Sequence, residues 1–250
     1  MNRIFLTLGL GLLLMFVQHF ALAKTFGGAE YTFLEDDSFV GAPEGSEEII
    51  ATTVFLGNYR ALKNKPTALV LKGSVQSSRF DTVGILDNNI YGLSAGLFHK
   101  LDRKNSVITS LDFLSRRFDA EQLDGEVYKF KIALKQKQSS EFSMKETFAW
   151  EYGDSIQSAN TYYGFSLGAL ANWLPVKRTA INAGISWNRK IYDVDVADVR
   201  TNQQLTFGIV QSLGKHLYLR LGFTRKRNQI IDLDREFYNT LLSAGAGVTF

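Results

Sequence analysis

The 250-residue chain carries 28 lysines and arginines against 25 aspartates and glutamates, and its formal charge of +3 is too small to argue for a nucleic-acid partner. It has no cysteine, which excludes a disulfide framework and a lipid-modified cysteine behind a leader. Aromatic residues reach 13% and proline occurs only at Pro43, Pro66 and Pro175, a composition that leans toward β structure.

Residues 1–23 read as a cleavable export signal. Arg3 gives a positive start, Ile4–Val17 is an apolar run interrupted by Thr7, Gly9 and Gly11, and Ala21 and Ala23 are the small residues at the cleavage positions. A membrane anchor is the rival reading, but the run is shorter than the ~20 residues a spanning helix needs. Residues 24–250 then form one domain with no second run of that length, so only strands could carry it across a membrane.

From there the dominant signal is period-two alternation in segments of about ten residues. It places strands near 26–34, 49–61, 67–78, 89–99, 106–116, 125–136, 141–152, 161–173, 179–191, 202–213, 217–227 and 237–250. In the eighth, Tyr163, Phe165, Leu167, Ala169, Ala171 and Trp173 alternate with Gly164, Ser166, Gly168, Leu170 and Asn172. In the eleventh, Leu217, Leu219, Leu221 and Phe223 alternate with Tyr218, Arg220, Gly222 and Thr224. A helix would spread such groups round its whole cylinder. The connections alternate between short (62–66, 100–105, 137–140, 174–178, 214–216) and long (35–48, 79–88, 117–124, 153–160, 192–201, 228–236), and the three prolines fall within them. Barrels with periplasmic termini, short periplasmic turns and long external loops show this rhythm. The expected fold is all-β: a closed antiparallel transmembrane β-barrel of about 12 strands, with 10–14 compatible because the first two are weakly patterned.

No repeat or linker marks a second domain. The most acidic stretch, 35–48, holds Glu35, Asp36, Asp37, Glu44, Glu47 and Glu48 and reads as a solvated loop or as a cation site bridging lipopolysaccharide phosphates. Trp150, Tyr152, Tyr162, Tyr163, Trp187 and Tyr192 fall toward the outer end, and Tyr59, Phe98, Phe142, Trp173 and Phe250 toward the periplasmic end, as interface belts would.

The last segment, Tyr238–Phe250, closes in Ala246-Gly247-Val248-Thr249-Phe250 after alternating apolar positions. It resembles the final strand of Gram-negative outer-membrane β-barrel proteins. The resemblance implies an outer-membrane location among lipids and lipopolysaccharide, and recognition by the barrel-assembly machinery through Tyr238, Val248 and Phe250. It covers the architecture and names no substrate.

Enzymatic chemistry finds little footing. After the leader the only histidines are His99 and His216, both near short turns; His99 opposite Ser106 would suggest a nucleophile and base, without an orienting third group. No cluster has metal-ligand spacing and no phosphate-binding glycine loop is present, so neither metal nor cofactor is expected. The inward parity is richer. It assigns Lys72, Lys129, Lys131, Lys135, Lys145, Lys190, Arg220 and Lys226 to the lumen, against fewer acids, Glu30, Asp112, Glu126 and Glu151. Unbalanced positive charge in water favours anions, which makes passive diffusion of small anionic solutes the leading expectation. A plugged barrel, with the lysines paired or reaching for its ends, remains the alternative and would act in adhesion, assembly or envelope structure through its loops. A barrel hydrolase is a third. Glu146 is the misfit: it shares the lipid-facing parity of Phe142, Met144, Phe148 and Trp150, where a carboxylate is costly, so it marks a register break, a bulge or an oligomer contact. Gln211 poses a milder version of the question.

Overall fold

A computed structural model describes residues 24–37, 46–62, 65–193 and 198–250. The leader, with Ala21 and Ala23, lies outside the described residues, as do Pro43 and Glu44.

Twelve strands follow one another in chain order: β1 (Lys24–Asp36), β2 (Glu47–Ala61), β3 (Thr67–Phe80), β4 (Asn88–Lys100), β5 (Asn105–Phe118), β6 (Gly125–Lys137), β7 (Phe142–Ser155), β8 (Tyr162–Val176), β9 (Thr179–Tyr192), β10 (Asp198–Ser212), β11 (Leu217–Ile230) and β12 (Arg235–Thr249). Each pairs antiparallel with its sequence neighbours, and β12 closes on β1 to complete the barrel. Closure leaves no free edge, the condition for strands in hydrocarbon. Phe250 seals the seam just beyond the ladder: its amide donates to the Gly27 carbonyl at 3.0 Å and the Gly27 amide to its carbonyl at 3.1 Å. Followed rung by rung round the wall, the pairings re-enter β1 displaced by about 16 residues; for twelve strands this gives a tilt of roughly 45° and a Cα radius of about 12 Å.

That radius is too large for side chains from one wall to meet and pack. Accordingly, the buried apolar residues among those described are Ala68, Val127, Ala133, Ala149 and Tyr162, all on the interior face, and they form no continuous core. The large apolar side chains instead point outward: Leu111, Ile185, Leu205, Leu221 and Leu242 are more than half exposed. A soluble protein would bury them; here the apolar solvent is the bilayer.

Local details depart from expectation for physical reasons. Pro175 lies inside β8, at the register irregularity between Trp173 and Val176, and not in a connection; a ladder tolerates a missing donor at such a place. The long connections of β3–β4 and β5–β6 repeat one construction, too short to register as a sequence repeat. Arg79-Phe80-Asp81 leads to Leu86-Asp87 through a 3-10 turn at Gly84–Leu86, and Arg117-Phe118-Asp119 leads to Leu123-Asp124 through one at Glu121–Leu123. Asp87 accepts the Phe80 amide at 2.8 Å and Asp124 the Phe118 amide at 2.7 Å, with Arg79 and Arg117 each 3.6 Å from those carboxylates. Neighbouring loops continue the ladder above the strands: the Asp119 amide donates to the Asp87 carbonyl and that of Ile156 to the Asp124 carbonyl.

The expected aromatic belts are only partly formed. Trp150, Tyr152, Tyr163 and Trp187 share the outward face, whereas Tyr59, Phe98, Tyr162 and Tyr192 turn inward, where Tyr59 meets Phe98 at 6.3 Å and Tyr162 meets Tyr192 at 5.3 Å. The Tyr162 ring lies flat across its rung partner Gly153, where a Cβ would stand 2.3 Å from it. Gly153→Val should therefore lift the ring and lower stability by about 2 kcal/mol. Urea unfolding of the barrel in lipid vesicles would register this as an earlier midpoint.

Candidate functional site

Rung partners share a face, so the register fixes which side chains look into the cylinder. Lys72 on β3, Lys129, Lys131 and Lys135 on β6, Lys145 on β7, Lys190 on β9, and Arg220 and Lys226 on β11 stand on the interior face. So do Glu30, Asp112 and Glu151. Glu126 does not. Its parity is that of Tyr128 and Phe130, on the outward face at the long-loop end, where the Tyr128 hydroxyl donates to it at 2.7 Å. Assigning it to the lumen with Lys129 was an error of one residue, and in a pleated strand one residue changes sides.

Glu30, Asp112 and Glu151 are each engaged by a base, whereas Asp36 and Glu47, interior rung partners at the long-loop mouth, accept from Asn239 and from the Thr82 amide. Lys72, Ser94, Asp112, Lys129, Glu151, Gly164 and Lys190 occupy one continuous row of rungs from β3 to β9. Within it Glu151 bridges two ammoniums, Lys129 at 2.6 Å and Lys190 at 3.2 Å. Lys190 reaches Glu151 by passing over Gly164, where a Cβ would meet its Cγ at 3.2 Å; glycine clears the path. The Lys190 ammonium also sits 3.9 Å above the Tyr162 ring. Asp112 accepts from Ser94 at 2.5 Å and from Lys131 at 3.1 Å. On the opposite wall, Glu30 accepts from Tyr218 at 2.7 Å and from Thr32 at 3.0 Å and pairs with Arg220 at 3.1 Å.

Four of the eight expected bases are thus neutralised, and four are not. Among the described residues Lys135, Lys145 and Lys226 have no carboxylate partner, and Lys72 rests 4.8 Å over the Phe55 ring. Lys135 and Lys145 are direct rung partners. Like charges in that relation repel, so the fold bears a cost there that nothing within the described wall offsets.

Two interior features escaped the charge-based reading. Arg116 shares the interior face of β5, and its Nε finds no hydrogen-bond partner among the described residues. Near the long-loop mouth an amide chain runs across five strands: Asn188 donates to Asn202 at 3.4 Å, Asn202 to Asn228 at 2.5 Å, Asn228 to Asn239 at 2.9 Å and Asn239 to Asp36 at 3.1 Å. The parity of the four asparagines was readable; only charge had been counted.

The histidine pair is not formed. His99 opposes Val107 and faces outward, with its Nδ1 2.8 Å from the Thr67 hydroxyl, while Ser106 opposes Lys100 on the interior face. His216 Nδ1 lies 2.8 Å from the Thr249 carbonyl oxygen. Among the described residues no three of histidine, cysteine, aspartate and glutamate converge as a metal site would require. Glu146 sits in unbroken register between Leu134 and Ala169, so neither a bulge nor a register break explains it. It lines an outward hollow with Ile132, Phe148, Ile185 and Trp187. Gln211 is accounted for: it accepts from Thr179 at 2.7 Å near the short-turn end.

No family model matches the sequence, and no curated relative matches it. Solved structures do resemble it in shape. An outer membrane channel from Pseudomonas putida F1 superposes with a TM-score of 0.68 at 10% identity over 90% of this chain and 95% of that one. The NanC porin gives 0.56 at 10% identity over 89% and 98%, and an anion-selective porin from Comamonas acidovorans 0.51 at 8% over 91% and 99%. At such identities the likeness speaks for the fold, that of an outer-membrane β-barrel.

Proposed function

We propose that this barrel is a narrow outer-membrane channel for passive diffusion of small anions. The observation that carries the reading is the imbalance of the wall below the long-loop mouth: Glu30, Asp112 and Glu151 are already paired there, and Lys72, Lys135, Lys145 and Lys226 are left to face the lumen. A permeating anion supplies the counter-charge that these lysines lack, whereas a cation meets carboxylates whose charge is already spent. The anion selectivity of the Comamonas porin is consistent with this reading.

The same reading places residues 1–23 as a removed leader cut after Ala23, and the closing strand, with Tyr238, Val248 and Phe250, as the signal read by the assembly machinery. Lipopolysaccharide would be the outer-leaflet neighbour, with Arg189 and Arg225 among the basic residues on the outward face. The hydrolase alternative loses the His99–Ser106 pair that suggested it. Purified barrel added to a planar bilayer should produce discrete conductance steps in potassium chloride. A bilayer that stays silent while folded barrel is inserted would overturn the proposal.

A further inference from the structure

We propose that a niche in the interior wall between β7 and β10 binds a small hydroxylated carboxylate, of the class of sugar acids and hydroxy acids. The hollow measures about 370 Å³. With liquid water occupying about 30 Å³ per molecule, it has room for roughly a dozen non-hydrogen atoms.

Lys145 stands at the short-turn side, followed by Thr147, Ser166, Ser186, Gln204 and, toward the mouth, Asn188. One ammonium without a carboxylate partner, with the Lys135 ammonium opposite it on the same rung, marks the place for a single anionic group. Beside the apolar Leu170 side chain, the remaining interior groups are hydroxyls and amides, each able to donate and accept, which suits a chain of alcohols lying over one apolar contact. The space exists because two rung positions lack side chains. At Gly184 a Cβ would stand 2.8 Å from the Thr206 hydroxyl and 3.1 Å from Leu170 Cδ1. At Gly168 a Cβ would meet the Ile185 carbonyl and Ser186 Cβ at 3.5 Å, an ordinary contact, so a side chain there is tolerated by the backbone and fills the niche. Simple chloride passage requires neither the hydroxyls nor the hollow.

This inference deepens the channel reading and rests on it for access to the niche. The test uses the full barrel in detergent at low ionic strength, titrated calorimetrically with sodium gluconate. Gluconate should bind saturably at one site. Hexanoate, with the same carbon number and no hydroxyls, and glucitol, which has no charge, should each bind at least about 10-fold more weakly. Lys145→Gln and, separately, Gly168→Val should each lower gluconate affinity about 10-fold or more, with heat-modifiable gel migration showing that both variants fold. Equal binding of gluconate and hexanoate, or gluconate affinity unchanged in folded Lys145→Gln, would overturn the niche. A barrel that binds gluconate but passes no current would defeat the channel reading and leave the niche standing; one that conducts without binding gluconate would do the reverse.

Discussion

Replacing Lys72, Lys135, Lys145 and Lys226 together by glutamate should turn the channel from anion-preferring to cation-preferring. At about 8 Å and water-like screening, one unit charge changes the energy of a passing ion by roughly 0.5 kcal/mol. Removing four uncompensated cations therefore costs an anion about 2 kcal/mol, a factor of roughly 10 to 30 in its partition, and installing four carboxylates doubles the swing. The reversal potential under a salt gradient should change sign, most clearly at low ionic strength where screening is weak. Glutamine at the same four positions should remove most of the anion preference and leave only what Arg116 contributes. The paired bases behave differently. Lys131→Gln leaves Asp112 without its ammonium, so the lumen gains an exposed negative charge at mid-height and the protein loses an interior pair. An unchanged reversal potential in the fourfold glutamate variant would mean that the interior lysines do not set selectivity.

The second large effect is expected at Glu151, which is 9% exposed and lies between Lys129 and Lys190. Glu151→Gln removes the one carboxylate that holds two ammoniums on the same wall, leaving Lys190 against the Tyr162 ring and Lys129 opposite Asp112 on its rung. Breaking a fully buried pair costs 3–5 kcal/mol; here water reaches the lysines, so about 2 kcal/mol is expected. Urea unfolding in lipid vesicles should show the earlier midpoint, and the same variant should raise anion preference by adding unpaired positive charge. Restoring balance with Lys129→Gln on the Glu151→Gln background should recover part of the loss. Full stability in Glu151→Gln alone would show that the bridge is ornamental.

Much of the fold was readable because a pleated strand fixes which side each residue faces. Leu217, Leu219, Leu221 and Phe223 could only be outward together, and closure and strand number followed from twelve such runs. What alternation cannot supply is register between strands. Nothing local says that Lys190 on β9 reaches Glu151 on β7, since that depends on Gly164 on the strand between them. The lysine excess was therefore overcounted: four of the eight bases are paired by acids brought beside them through the stagger of the wall. Tyr162 and Tyr59 fit lipid belts by their place near strand ends, but each has interior parity: Tyr162 covers Gly153 and Tyr59 meets the Phe98 ring, contacts that chain order does not reveal. Glu126 shows the same limit at its smallest scale, where a single step along the strand exchanged lumen for exterior.

The measurement closest to the heart of this account is the reversal potential of the unaltered barrel in a planar bilayer separating concentrated from dilute potassium chloride. Four unpaired lysines on the interior wall predict the sign given by chloride outrunning potassium. The opposite sign, or a potential of zero, would contradict the assignment of those lysines as the charge that a permeating ion meets.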